Sequence, residues 1–245
     1  MNALQRMALC SLMGLGFWTV AEAADEVTLV STMNVPMSKY GMVWQSTQAR
    51  VRVKNLAYEK IVKLVFKDVD GQSIEVPATY FGPADQGYEI WEAWTNLNSG
   101  KPYSFDVSYD VAGRNYRTEG FELKQGPILY AGQNVQQVLG SKQFYGSYAS
   151  FTVAVRNIGW QKSVVAHYSC DGFRSEESVP LSFQPQFSYG YGYVSSPTAD
   201  GFEIWSGSLG NLPESCNVLN YYFTYDVNGQ RYADTNFGVN YVMSR

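Results

Sequence analysis

The chain has 245 residues, of which 16% are charged and 16% aromatic, with 19 Tyr, 13 Phe and 6 Trp; an average soluble protein carries about 25% charged residues. A formal net charge of −4 without clusters of Lys or Arg gives no electrostatic footprint for nucleic acid or an anionic membrane. The length and apolar share suffice for two cores of about 100 residues each.

In chain order, the first element is a processing segment. Arg6 precedes the uncharged, mostly apolar run Met7 to Val20, and Ala21-Glu22-Ala23-Ala24 comes next, before Asp25. This is the n-region, h-region and cleavage pattern of a secretory signal peptide, too short for an ordinary transmembrane helix. Cys10 follows Leu9 and lacks the small residue that lipoprotein processing needs. Residues 1–24 are therefore expected to be removed, leaving a secreted or periplasmic chain with no membrane attachment.

Strands are predicted almost throughout the rest of the chain. Arg50 to Lys54 alternates apolar and polar, Ile61 to Lys67 is β-branched and aromatic without helical spacing, and Phe105 to Val111 alternates strictly. Tyr221 to Val227 places Tyr221, Phe223, Tyr225 and Val227 inward and Tyr222 outward with Thr224 and Asp226. Asp70-Gly71, Asp171-Gly172 and Asn228-Gly229 read as tight turns between such runs. No amphipathic helix stands out. Short strands separated by frequent turns imply an antiparallel sandwich or barrel.

The pattern occurs twice. Residues 51–71 return at 153–172, YEIW at 88–91 returns as FEIW at 202–205, and 108–121 returns at 224–237, at offsets of 102, 114 and 116. A period near 100 exceeds the roughly 20–50 residues of a solenoid unit and fits two domains of one fold. The expected division is 25–124 and 125–245, with Leu123-Lys124-Gln125-Gly126-Pro127 as the break.

Catalytic chemistry finds little footing. His167 is the sole histidine, so no His-based triad or His-rich metal site can be assembled. Glycosidase chemistry needs two carboxylates across a cleft; those shared by both repeats, Glu89 with Glu203 and Asp110 with Asp226, read as a solvated face or hairpin ends. No catalytic residue, metal or cofactor is assigned. After export, Cys170 and Cys216 can form a disulfide or remain two small buried thiols. A bridge would close a loop of about 47 residues, worth roughly 4 kcal/mol in the chain-entropy relation.

Aromatic side chains at water-facing positions remain. Tyr222 can be joined by Phe173, just after the Asp171-Gly172 turn, and by Tyr189-Gly190-Tyr191-Gly192-Tyr193 in an insertion that the first repeat lacks. Flat rings with amide and hydroxyl groups suit a pyranose, which has an apolar face and a hydroxyl rim. The alternative for these aromatics is cover for thin sandwich cores.

VKNLAYEKIV at 53–62 and VRNIGWQKSV at 155–164 resemble the V-x-N-[IL]-x-[aromatic]-x-K-x-V signature of family 21 carbohydrate-binding modules, the starch- and glycogen-binding domains. The stretch Tyr232 to Tyr241 resembles that family's closing motif. The resemblance implies two tandem immunoglobulin-like antiparallel β-sandwich domains and binding of α-1,4-glucan. One implied site uses Tyr58, Tyr80 and Tyr88 with Asn55 and Lys60 in the first repeat, and Trp160, Phe183 and Phe202 with Asn157 and Lys162 in the second. The other implied site survives only in the second repeat, as Phe173 and Tyr222 with Asp234, Asn236 and Asn240, with Ala233 where the family has an aromatic.

The leading expectation is a non-catalytic binder of α-glucan polysaccharide, acting alone or beside a separate amylase. The competing readings are a structural or adhesive surface protein that does not bind sugar, and a hydrolase with a dispersed carboxylate pair. A phosphatase-targeting role is disfavoured by the export signal.

Overall fold

The structure is a computed structural model, described over residues 26–245. The signal peptide expected at 1–24 lies outside the described residues. In chain order the strands are β1 Val27–Lys39, β2 Met42–Lys54, β3 Lys60–Asp68, β4 Ser73–Pro77, β5 Thr79–Pro83, β6 Tyr88–Asn98, β7 Tyr103–Val111 and β8 Arg114–Glu122. They continue with β9 Gly126–Leu129, β10 Val135–Gln137, β11 Gln143–Tyr145, β12 Tyr148–Arg156, β13 Lys162–Ser169, β14 Glu177–Pro180 and β15 Ser182–Gln184. The last are β16 Gln186–Tyr189, β17 Gly192–Ser195, β18 Phe202–Leu209, β19 Val218–Val227, β20 Gln230–Asp234 and β21 Tyr241–Ser244. A short 3₁₀ turn, Asp85–Gly87, is the one helical element among the described residues.

All pairings are antiparallel, in four sheets. In the N-terminal half, the sheet containing β1-β2-β6-β5 packs on β4-β3-β7-β8, and Val51, Val53, Leu64, Phe105 and Tyr109 fill the space between them. In the C-terminal half, β10-β12-β18-β15 with β11 packs on β14-β13-β19-β20 with β21, around Phe151, Val153, Tyr221, Phe223 and Tyr225. The alternation read in the sequence appears directly: Tyr103, Phe105, Val107, Tyr109 and Val111 of β7 are all buried, as are Tyr221, Phe223, Tyr225 and Val227 of β19. Asn228 and Gly229 both take positive φ, 53° and 74°, the backbone of a two-residue type I′ turn.

Cys170 and Cys216 form a disulfide with a Cα–Cα distance of 5.0 Å, tying the end of β13 to the approach to β19.

A third core joins the halves. Met33, Val35 and Met37 of β1 meet Ile128, Leu129, Val138, Leu139, Ala154, Val194, Phe202 and Ile204. Each fully buried side chain of this size contributes roughly 1.5–3 kcal/mol. The Tyr-Gly insertion, expected either as a sugar platform or as core cover, forms the β16-β17 hairpin and extends the N-terminal sheet, with Gly192 opposite Met37. A Cβ on Gly192 would lie 2.0 Å from the Pro36 carbonyl oxygen, so only glycine fits this crossing. The Gln48 amide donates to the Tyr189 hydroxyl at 2.5 Å, and the Lys39 amine bonds the Tyr191 hydroxyl. β9 also pairs with β1, from Asn34 opposite Gly126 to Ser31 opposite Leu129.

Candidate functional site

Tyr58 and Trp160 sit on corresponding loops, after β2 and β12, and are 98% and 99% exposed. Corresponding bonds pin both loops. The Leu56 and Ile158 amides close tight turns onto the Lys54 and Arg156 carbonyls at 2.9 and 3.0 Å. Those carbonyls also accept the buried hydroxyls of Tyr109 and Tyr225 at 2.6 and 2.8 Å. Burial pushes the Tyr225 hydroxyl up to about 12. The Asn55 and Asn157 amides donate to the carbonyls of Gly87 and Gly201.

Beneath each ring runs a polar relay. In the C-terminal half the Lys162 amine donates to Asn157 Oδ1 at 2.7 Å and to Glu203 Oε1 at 2.7 Å, and the Trp205 indole donates to Glu203 Oε2 at 3.1 Å. In the N-terminal half Lys60 bonds Asn55 at 2.6 Å and Glu89 at 2.8 Å, while Trp91 donates to Glu89 at 3.2 Å. Tyr80 and Phe183, both exposed, lie directly across the sheet from Trp91 and Trp205 and meet them edge-on at 6.0 and 6.1 Å. An open depression of about 810 Å³ surrounds Trp160, bordered by Asn157, Gln161, Lys162, Glu203 and Asn228.

Several sequence expectations need correction. Tyr88 and Phe202 are only 7% and 2% exposed and cannot stack on a sugar. In a strand neighbouring side chains point to opposite faces, so Glu89 and Trp91 turn to the site while Tyr88 turns the other way, under Arg52 at 3.7 Å. Phe202 likewise enters the core between the halves, with Arg156 over its ring at 4.8 Å. The side chains of Lys60 and Lys162 are 4% and 8% exposed, so the two amines hold the loop from inside instead of reaching out as sugar donors. Glu89 and Glu203, read as part of a solvated face or hairpin ends, are the largely buried partners of those amines, with side chains 14% and 9% exposed. Unpaired, they would be costly.

A second aromatic surface lies on the outer face of β13 and β19. Tyr222 stacks on His167 with centroids 4.6 Å apart and planes 5° apart, and Phe173 packs on Tyr222 at 5.8 Å. Glu176 faces both His167 Nδ1 and the Tyr222 hydroxyl, and His167 Nε2 lies 2.9 Å from Thr224 Oγ1. The loop that presents Phe173, at φ 63°, is fastened by Asp171, whose carboxylate accepts the Ser175 and Arg174 amides and both neighbouring serine hydroxyls. The Ser175 amide and the Ser169 and Ser175 hydroxyls hold the Asp171 carboxyl well below the usual carboxylate range.

Asp234 and Asn236, assigned to this surface from the closing motif, are instead buried, 5% and 6% exposed, at the seam between the halves. Asp234 accepts the Gln137 amide at 2.8 Å and the Tyr241 hydroxyl at 2.8 Å, and Arg50 of the other half donates to that hydroxyl at 3.1 Å. Burial raises the Asp234 carboxyl above its ordinary range. Asn240 is half-buried and its carbonyl accepts the Asn236 side chain at 3.1 Å.

Sequence reasoning missed Trp91, Trp205, Asn228, His167 and Glu176. Strand alternation carried a signal for the first two, since the E-x-W block places Glu and Trp on one face. His167 was visible two residues before the Ser169 end of β13, directly opposite Tyr222 only once β13 and β19 are in register.

Residues 135–244 match the carbohydrate/starch-binding module (family 21). That span includes Trp160, Phe173, Phe183, Glu203, Trp205 and Tyr222, so the C-terminal half is similar to a binding module that recognises carbohydrate. Among solved structures, the starch-binding domain of Rhizopus oryzae glucoamylase, determined with β-cyclodextrin and maltoheptaose, is 26% identical over 48% of this chain and 99% of its own, with a TM-score of 0.33. The carbohydrate-binding module of the muscle glycogen-targeting subunit of protein phosphatase-1 is 16% identical over 46% of this chain and 76% of its own, also with a TM-score of 0.33. No curated protein matches the chain.

Proposed function

We propose that the protein is a non-catalytic binder of α-1,4-linked glucan, exported as a secreted or periplasmic chain, with two tandem family 21-type sandwich domains. One stacking site lies on each, at Tyr58 and at Trp160. The observation that carries this reading is the pair of almost fully exposed rings on loops fixed by the same set of bonds. An unsupported surface ring would be unremarkable; here a largely buried Lys–Glu pair, capped by a half-buried Trp, holds the loop beneath each one. The family match over 135–244 supports the ligand class. The patch of Phe173, Tyr222 and His167 is an additional contact surface of the second domain.

Stacking about 50 Å² of apolar sugar face contributes roughly 1.3 kcal/mol, so a single site is weak. Two sites on one polymer turn the second contact into an intramolecular one, raising apparent affinity by about 10²–10⁴ when the spacing suits. A long, repetitive ligand is therefore favoured, and a separate amylase working on the same polymer would find the protein beside it.

The test is affinity electrophoresis of the mature chain in amylose, amylopectin and glycogen gels. Retardation is expected, and Tyr58→Ala and Trp160→Ala should each reduce it while leaving the thermal midpoint almost unchanged. Unretarded migration in all three gels would sink the proposal and favour the adhesive alternative.

A further inference from the structure

The seam between the halves leaves one tryptophan in water that neither stacking site accounts for. Ala49, Val51, Ala93 and Leu97 point into the N-terminal core. Ser46, Gln48 and Arg50 of β2, with Glu92 and Trp94 of β6, therefore line the opposite face of the same sheet. The C-terminal half covers most of that face: Arg50 is 2% exposed and bonded to Tyr241. Cover stops short of Trp94, which is 58% exposed. Its indole donates to Ser46 Oγ at 3.2 Å, fixing the ring by one edge.

Trp94 borders a groove of about 510 Å³ whose far wall is Leu139, Gly140 and Tyr189 of the other half. The wall is closely fitted. Gly140 has φ +69°, and a Cβ there would lie 3.1 Å from the Tyr189 hydroxyl and 3.3 Å from the Gln48 amide nitrogen. On the near side Glu92 takes both Arg50 hydrogen bonds on Oε1, at 2.6 and 3.0 Å, which leaves Oε2 as an acceptor. The polar side chains of this groove are one open indole, one carboxylate paired with a buried cation, one amide, one phenol and the Thr79 hydroxyl, which donates to the Glu92 carbonyl. The depression at Trp160 shares part of this set, an open indole, Glu203 paired with buried Lys162, and the amides of Asn157 and Asn228, but there both Glu203 oxygens are taken, by Lys162 and Trp205. The fold does not require the tryptophan, because the corresponding position of the C-terminal half is Ser208.

From these observations we propose that the seam groove is a third carbohydrate site, in which a glucose unit of a glucan stacks on Trp94 and bonds Glu92 and Gln48. Both halves line it, so it exists only in the joined molecule. The ligand class rests on the function proposed above; the location does not.

The experiment is a titration of the ¹⁵N-labelled mature chain with maltoheptaose, following the tryptophan indole N–H resonances, with that of Trp94 assigned by its loss in Trp94→Phe and by sequential backbone assignment. The Trp94 resonance should shift saturably, and should still do so in the Tyr58→Ala/Trp160→Ala variant. Trp94→Ala should weaken polymer retention about tenfold. If Trp160 responds while Trp94 stays still, the third site is wrong and the proposed function stands. If no indole responds to the sugar, the glucan reading itself fails. A Trp94 resonance that moves with protein concentration and not with sugar would overturn the site in favour of self-association.

Discussion

The same cross-strand slot is filled in opposite ways in the two halves. In the C-terminal half His167 faces Tyr222 across β13 and β19, and the two rings stack under Phe173. In the N-terminal half the corresponding pair is Val65 and Asp106 across β3 and β7. There Asp106 is 7% exposed and knotted to the Lys67 amine at 2.9 Å and the Gly120 amide at 3.1 Å. One scaffold position thus supports either a charge knot that fastens the sheet or a ring stack that faces outward. Conversely, the loops bearing Tyr58 and Trp160 are built alike, down to a compensated exchange. Gly159 makes room for Asn228, whose amide bonds the Ile158 carbonyl at 2.8 Å, where the other half has Ala57 and Ala112.

The comparison can be broken by experiment. The largest effect should come from Cys170→Ala/Cys216→Ala, since the bridge sits at the root of the Phe173 loop and the N-terminal half has Asp68 in place of Cys170. Closing 46 residues of sequence is worth about 4 kcal/mol by chain entropy, so chemical denaturation should show a loss of that order; an unchanged midpoint would mean the loop is held by Asp171 alone. Next, Asp106→Ala should cost about 1–3 kcal/mol by removing the carboxylate that takes the Lys67 amine and the Gly120 amide, with no change in glucan retention. Tyr222→Ala should do the reverse, losing less than about 1 kcal/mol but reducing retention. Equal stability losses would show that both slots are purely structural.

The smallest effect separates two depressed carboxylates. Asp68 is held low chiefly by its bond to Lys101, and Asp171 by amides and hydroxyls. Each has a folded pKa below the ordinary carboxylate value of about 3.9. Its stabilisation is therefore present above that pH and lost as pH falls through the folded value. High salt weakens an ion pair that solvent reaches, here through the Lys101 side chain, 35% exposed, so a carboxyl-carbon NMR titration should show the Asp68 midpoint rising with salt and that of Asp171 moving less.

Strand identity, inward faces and turns were legible because they follow from local alternation and from Asp-Gly and Asn-Gly pairs; β7 and β19 are clear cases. The loop aromatics Tyr58 and Trp160 were legible from their motif and stand fully exposed. Tyr88 and Phe202 were misplaced because the motif was copied as a set while strand geometry divides it between two faces. Asp234 and Asn236 were misplaced for a different reason. Their burial depends on Arg50 and the rest of a surface more than 100 residues away, and nothing near 234 announces it. The β16-β17 hairpin escaped recognition in the same way, since its partner strand is β1.

That hairpin has a practical consequence for anyone dividing the polypeptide. A fragment ending near residue 124 would lack β9, β16 and β17, which occupy the outer side of β1. The bared backbone of a long apolar strand recruits whatever extended peptide is nearby, so the truncated piece is expected to aggregate on expression. The corresponding C-terminal piece would carry an orphaned Tyr-rich hairpin ready to invade another molecule.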